Sequence, residues 1–481
     1  MNYGMIGYIL AWVLTIESGF MVLFPPIVSL FYHDKSGIVF LITGLVGLAI
    51  GIPCIIRKPK NTSFFVRESF IVVGMSWVLM ATFGALPFTF SGEIPNYVDA
   101  LFETVSGFTT TGATILTNVE GLSHTCLFWR SFTHWLGGMG VCVFMLMIIP
   151  MAGGGSIHLM RAESPGPSVG KIVPKMRQSA VILWEIYIVM TVIQIVLMVI
   201  CKMPLFDAIC LGMGTAGTGG FGIKNDSLAS YSPLLQWIVT VFMILFGVNF
   251  NVYFYIIRKD IKSALKMEEV RAYFIIILIS ILIITFNTLD FSNGNFGVAL
   301  KDAAFQVGSV ITTTGYSTVD FELWPTLSKT VLVIIMFIGA CAGSTGGGIK
   351  VSRILISLRT IGSEIEHFIH PRSVKTVKMD GHSVEKETER SVSIYMLTFA
   401  VIYVCSLLVI SMDKYDFTTN FTAVAATINN IGPGLGTVGP MGGFSGYSIL
   451  SKIVFIFDML AGRLELYPML LLFWLPAWKK H

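Results

Sequence analysis

Ten apolar blocks dominate the hydrophobic pattern of this chain, each about as long as the roughly 20 residues a helix needs to cross a bilayer's hydrocarbon core. They cover about residues 4–31, 37–56, 69–90, 127–150, 179–203, 233–257, 272–289, 327–360, 391–412 and 447–477. Four shorter apolar segments fall between the third and fourth, fifth and sixth, seventh and eighth, and ninth and tenth blocks, and each ends in a turn rich in small polar residues and Gly. The pattern predicts an all-α polytopic membrane protein. A two-helix hairpin (1–60) precedes four units of helix, half-helix, turn and helix, expected at 61–152, 153–258, 259–361 and 362–481, the last with a polar loop in front.

The four short segments align without gaps. Asp99 to Ala113 reads DALFETVSGFTTTGA, Asp207 to Phe221 reads DAICLGMGTAGTGGF, Asp302 to Tyr316 reads DAAFQVGSVITTTGY, and Thr419 to Pro433 reads TNFTAVAATINNIGP. All carry Gly at one offset: Gly112, Gly220, Gly315 and Gly432. Backbone that is neither helix nor barrel is tolerated at membrane depth only where it is buried or lines a wet cavity. Four such turns in one chain predict a ring of carbonyls around a single axial path, the geometry of an ion selectivity filter.

Composition supports the membrane class. Charged residues make up 12% of the chain against about 25% in soluble domains, and hydrophobic residues 54%. Mean hydropathy is +0.77. The net charge of +4 matters less than its distribution, because 23 of the 32 Lys and Arg fall in 57–67, 153–178, 258–271, 350–390 and the tail. By the positive-inside rule these segments face the cytoplasm, the repeat-bearing loops face outward, and both termini lie inside. The apolar run from Tyr3 to Phe31 is too long for a signal-peptide core and is expected to remain as a span. The seven cysteines are scattered without a CxxC pair, which favours small buried hydrophobes over a metal or disulfide set.

Asp99, Asp207 and Asp302 stand where short pore helices are expected to begin, as N-caps. Each helix would run inward for about ten residues and aim its partly negative C-terminal end at the axis. The shared Gly permits the φ values that turn successive carbonyls toward one line. The preceding Thr residues, or Asn430 and Ile431 in the fourth turn, can satisfy backbone groups from behind. No carboxylate lies within the turns, so selectivity would rest on carbonyl dipoles replacing a hydration shell, which suits a large monovalent ion. A membrane enzyme built on Glu103, His124 and His134 is disfavoured, because no HExxH-type spacing occurs.

The arrangement resembles the TrkH/KtrB superfamily of potassium transporters over nearly the whole chain. The two leading spans, the polar cytoplasmic segments and the length are more similar to the TrkH branch. The resemblance implies that carbonyls near Thr110, Thr111, Gly112, Thr218, Gly219, Gly220, Thr313, Thr314, Gly315, Asn430, Ile431 and Gly432 bind potassium, and rubidium as its congener. It also implies a gate at Gly339 to Lys350, GACAGSTGGGIK, comprising Gly343, Ser344, Thr345, Gly346, Gly347, Gly348 and Lys350. Five glycines in these twelve residues each lower helix stability by about 1 kcal/mol relative to Ala, so an unwound segment is physically reasonable. A P-loop reading fails for want of GK[ST].

Arg463, a charge at bilayer depth, is placed by the resemblance just below the filter as a barrier to cations, with pairing to Asp458 or Glu465 as the structural alternative. Glu17, His134 and Glu185 are read as helix–helix glue or proton-pathway candidates, and Arg130 and Lys452 as residues snorkelling near the outer interface. The resemblance further implies a homodimer in a bacterial cytoplasmic membrane, gated by a cytosolic ring of nucleotide-binding RCK-type subunits (TrkA-like). No cofactor and no nucleic acid is expected on this chain, and potassium is its substrate. Sodium-dependent transport of the KtrB type is the alternative, and proton symport is left open.

Overall fold

The computed structural model describes residues 1–61, 65–138, 176–372 and 376–479, and their regular structure is helical apart from one short hairpin. Helices α1 (Tyr3–Tyr32) and α2 (Ser36–Ile56) form the leading hairpin. α2 turns a stripe of glycines toward α1, so close that a methyl on Gly47 would meet the Ser18 hydroxyl at 2.0 Å. Lipid tails give no hydrophobic drive to association between spans, and such close backbone approach supplies dispersion contacts in its place.

After α3 (Val66–Gly84) and α4 (Leu86–Phe90), each unit contributes one short buried helix. These are α5 (Tyr97–Phe108), α8 (Leu205–Ala216), α13 (Phe296–Ile311) and α17 (Phe417–Ile428). The helices leading into the last three are α7 (Met176–Ile200), α12 (Glu268–Asn287) and α16 (Lys386–Ile410). Their outward faces expose rows of large apolar residues, such as Val192, Val196 and Ile200 on α7, or Leu397, Val401, Val404 and Leu408 on α16. A soluble monomer rarely exposes continuous apolar surface on this scale. Among the described residues six helices are long and apolar enough to cross a membrane, seven if one bent pair is counted as a span, so the chain is a multi-pass membrane protein.

The helices that follow the turns depart from the predicted continuous spans. The block at 233–257 splits into α9 (Pro233–Phe246) and α10 (Asn251–Ile257), bent by 95°, and the short α11 (Ile261–Lys266) follows. Gly247 stands at the corner, where a side chain would collide with the Tyr273 hydroxyl at 2.4 Å. The block at 327–360 becomes α14 (Thr326–Met336) and α15 (Val351–Ile369), with residues 337–350 unwound between them. The block at 447–477 becomes α18 (Ile449–Arg463) and α19 (Tyr467–Phe473), interrupted by Glu465 and Leu466 in left-handed backbone ahead of Pro468. Pro lacks the amide an uninterrupted helix needs and clashes with the turn before it. The block at 127–150 is helical in α6 (His124–Gly138), and its remainder lies outside the described residues.

Candidate functional site

The three shared aspartates do not cap the short helices. Asn96 caps α5, accepting from the Val98 amide, and Asp416 caps α17, accepting from the Thr419 amide. Pro204 occupies the corresponding position before α8. Asn295 caps α13, which begins earlier than its counterparts. Asp99 and Asp207 therefore lie in the first turn, and Asp302 lies well inside its helix. A first-turn carboxylate still faces the helix's positive end, while its oxygens are free for other partners. Asp99 takes Lys452 Nζ at 2.6 Å, Asp207 takes the Tyr231 hydroxyl at 2.7 Å, and Asp302 pairs with Lys301 at 3.0 Å.

All four helices end identically. Thr110, Thr218, Thr313 and Asn430 adopt left-handed backbone, with φ of 55°, 54°, 58° and 55°. In each case two reverse bonds close the helix: Thr110 N to Gly107 O and Thr111 N to Ser106 O in the first, Asn430 N to Thr427 O and Ile431 N to Ala426 O in the fourth. This pairing satisfies carbonyls a helix end leaves open and normally carries Gly at the left-handed position. A β-branched Thr there costs on the order of 1–2 kcal/mol, so surrounding contacts must hold it. Two residues later Gly112, Gly220, Gly315 and Gly432 are left-handed again, at 79°, 77°, 86° and 98°. The residue between is not left-handed in any of the four. Alternating handedness keeps successive carbonyls on one side of the strand.

The glycines show how the four strands meet. A methyl on Gly112 would lie 2.1 Å from the Gly219 carbonyl oxygen, one on Gly220 1.9 Å from that of Thr314, one on Gly315 2.0 Å from that of Ile431, and one on Gly432 2.7 Å from that of Thr111. Each turn thus abuts the next, and the fourth returns to the first. The contacts close a ring of four, with the glycine of each strand against a backbone oxygen of the next.

Side chains brace the ring from outside. The hydroxyls of Thr109 and Thr111 bond at 2.8 Å, and those of Thr312 and Thr314 at 2.7 Å. Asn430 Nδ2 donates across the seam to Thr111 Oγ1 at 3.0 Å and to Met459 O at 2.8 Å. Thr110, Thr111, Thr218, Thr313, Thr314, Asn430 and Ile431 are all fully buried.

The unwound segment lies directly against the inner end of this ring. Gly347 N donates to Thr313 Oγ1 at 2.7 Å, and methyls on Gly346 and Gly347 would lie about 3.0 Å from Thr312 O and 2.9 Å from Asn429 O. Cys341 N and Thr345 N bond to Gly247 O and Phe246 O at the corner of the second unit, and Phe250 N to Gly343 O. Ser344 Oγ caps the loop on Cys341 O at 2.7 Å, and Lys350 Nζ donates to Gly346 O. Gly348 and Lys350 have left-handed backbone. Arg463 pairs with neither Asp458 nor Glu465. It donates to Thr345 O of the loop at 2.8 Å and to Gly137 O and Gly138 O of α6 at 2.5 and 3.0 Å, stapling the loop to the first unit. Asp458 accepts from Ser406, and Glu465 is taken by Arg353.

Residues 37–479 match the TrkH family, described as cation transport protein. The chain belongs to the TrkH family. It is 35% identical to the Trk system potassium uptake protein TrkH of Salmonella typhimurium, covering 100% of both chains. It is 34% identical to the Trk system potassium uptake protein TrkG of Escherichia coli, covering 93% of each. The crystal structure of the potassium transporter TrkH from Vibrio parahaemolyticus matches with a TM-score of 0.88 at 32% identity, covering 100% of both chains. The all-α repeat architecture read from the sequence is that of this family.

Two residues expected to snorkel are instead buried in ion pairs. Arg130 donates from Nε at 2.8 Å and Nη2 at 2.6 Å to Glu103, bonds Gly222 O at 3.2 Å, and lies 3.9 Å over the Phe221 ring. Glu103 also accepts from Thr114 Oγ1 and the Ile115 amide. One turn along α6, His134 accepts from Phe221 N at 3.2 Å, so its other nitrogen donates to Gly107 O at 2.8 Å. These three side chains join the first two glycine-bearing strands. The sequence held one signal for them: Glu103 occupies the offset where the other segments carry Leu211, Gln306 and Ala423. Lys452, paired with Asp99, ties the fourth unit to the first.

Proposed function

We propose that this chain carries potassium, with rubidium as an accepted congener, across the bacterial cytoplasmic membrane. The closed ring of four glycine-to-carbonyl contacts carries the reading. It creates a narrow path lined by neutral oxygen dipoles, which suits a monovalent ion that gives up its water readily. Filter ligands are the carbonyls around Thr110 to Gly112, Thr218 to Gly220, Thr313 to Gly315 and Asn430 to Gly432. The relatives' naming as potassium uptake proteins supports the choice of ion. No bond is made or broken. An inside-negative potential supplies about 2.3 kcal/mol per charge per 100 mV, enough to drive uptake without chemistry.

The segment 339–350 acts as the gate, with Arg463 holding it shut and opposing cations electrostatically. The basic segments and both termini face the cytoplasm, where a nucleotide-binding regulatory subunit docks on a homodimer of this chain. Flux into liposomes at clamped potential tests the reading, with potassium, rubidium, sodium and lithium offered in turn. Potassium and rubidium flux well above that of sodium and lithium is the expected result. Equal flux of all four, or none with protein correctly inserted, overturns it.

A further inference from the structure

Two helix N-termini near the gate lack caps of their own. α15, which resumes the chain after the gate loop, has no side-chain bond from its N-cap Lys350, and α12 has none from Met267. A helix start leaves four amides without intrahelical partners, and burying them unpaired is costly. In both places another segment supplies the acceptor.

At α15 the acceptor is Glu269, in the first turn of α12 and only 4% exposed. Its Oε1 accepts from Ser352 N at 3.1 Å and from Ala342 N at 2.6 Å. One carboxylate oxygen therefore holds an amide on each side of the segment 343–350. At α12 the acceptor is Asp380, in the turn between the two strands of a small antiparallel hairpin, β1 (Lys378–Met379) and β2 (His382–Ser383). Asp380 Oδ1 accepts from Glu268 N at 2.7 Å. Arg359 on α15 pairs with Glu268 at 2.6 Å and donates to Lys378 O. The hairpin caps the helix whose next residue holds the loop.

We propose that Glu269 is the positioning residue that latches the loop closed, and that the hairpin at 378–383 is the element through which a force on that face reaches it. The inference rests on the reading of 339–350 as the gate. Charge-assisted bonds donated by two buried amides to one carboxylate are strong and short-ranged. A shift of about 1 Å in the start of α12 stretches both together, so the loop is freed as a unit. Arg463 holds the loop from the opposite side, through Thr345 O, so release needs both attachments to yield.

The loop carries its own reporter, Cys341, whose side chain is fully buried. In full-length protein keeping Cys341 as its one cysteine, a water-soluble thiol reagent should label it slowly. Glu269→Ala should raise the labelling rate at least about tenfold, the loss expected for removing an acceptor shared by two buried amides, and should raise potassium leak in liposomes. Glu269→Gln keeps an oxygen in place and should stay within about threefold of the parent, which also reports on folding. Asp380→Ala should give an intermediate rise and Asp380→Asn little change.

Parental labelling in Glu269→Ala, with Glu269→Gln intact, overturns the latch. Ala and Gln variants labelling alike overturns the shared-acceptor argument. No response to Asp380→Ala removes the hairpin from the path. Faster labelling without added leak leaves Glu269 as the loop's anchor and refutes the gate reading on which the proposal stands.

Discussion

Replacing Gly220 with Ala tests the filter geometry most directly. The added methyl would stand 1.9 Å from the Thr314 carbonyl oxygen, about 1.5 Å short of ordinary contact, on backbone at φ 77°. The left-handed conformation alone costs Ala on the order of 1 kcal/mol. The clash costs far more unless the third strand retreats by more than 1 Å, which takes its carbonyl off the axis. A misplacement of that size at a coordinating site is worth two orders of magnitude in rate or affinity. Gly92→Ala is the control, because Gly92 has φ 80° with nothing within 4 Å of the added methyl. Rubidium uptake in cells lacking other potassium uptake should fall about 100-fold in Gly220→Ala and stay near parental in Gly92→Ala. Membrane levels and elution profiles of both variants should match the parent. Equal transport by the two variants would refute the claim that the strands abut at a functional distance.

Three further outcomes follow from the same contacts. Arg463→Ala removes a guanidinium that, about 8 Å from a passing cation, opposes it by about 2 kcal/mol at an effective dielectric near 20, so single-channel or liposome flux should rise about thirtyfold. Arg463→Lys, which keeps the charge but cannot span Thr345 O and Gly137 O together, should rise less. A ring of carbonyls that binds potassium should raise the melting temperature of detergent-purified protein in potassium or rubidium over lithium, by about 2.7 kcal/mol of linkage at 100-fold excess over the dissociation constant, and Gly220→Ala should erase the difference. Glu103→Ala leaves Arg130 buried and uncompensated and should cost about 3–5 kcal/mol in thermal unfolding, whereas Glu103→Leu combined with Arg130→Met should recover most of it.

The membrane class, the count of repeats and the register of the four glycine-bearing turns were legible in the sequence, because each depends on local physics. Apolar length reports a bilayer, and a Gly kept at one offset reports a backbone conformation that other residues resist. The N-cap positions of the first three short helices, Asn96, Pro204 and Asn295, lie three or more residues before the expected Asp99, Asp207 and Asp302, since the repeat's shared Asp looks like a cap whether it occupies the cap or lies further along the helix. The corner at Gly247 was hidden inside an apolar block, where composition is the same on both sides of a bend, whereas the break at Glu465 and Leu466 was marked in the sequence by Pro468.

What only the tertiary structure decided is who meets whom. Arg130 and Lys452 read as interfacial charges until Glu103 and Asp99 were placed beside them, from helices 27 and 353 residues away in sequence. Glu269 sits at the border of a basic loop and an apolar span and carries no motif. Its position beside the unwound segment 337–350 depends on three chain segments converging at one oxygen. Periodicity and spacing constrain each helix and turn separately. The closing of four turns into a ring, and the bonds that hold a loop beneath it, arise from packing between segments distant in the chain.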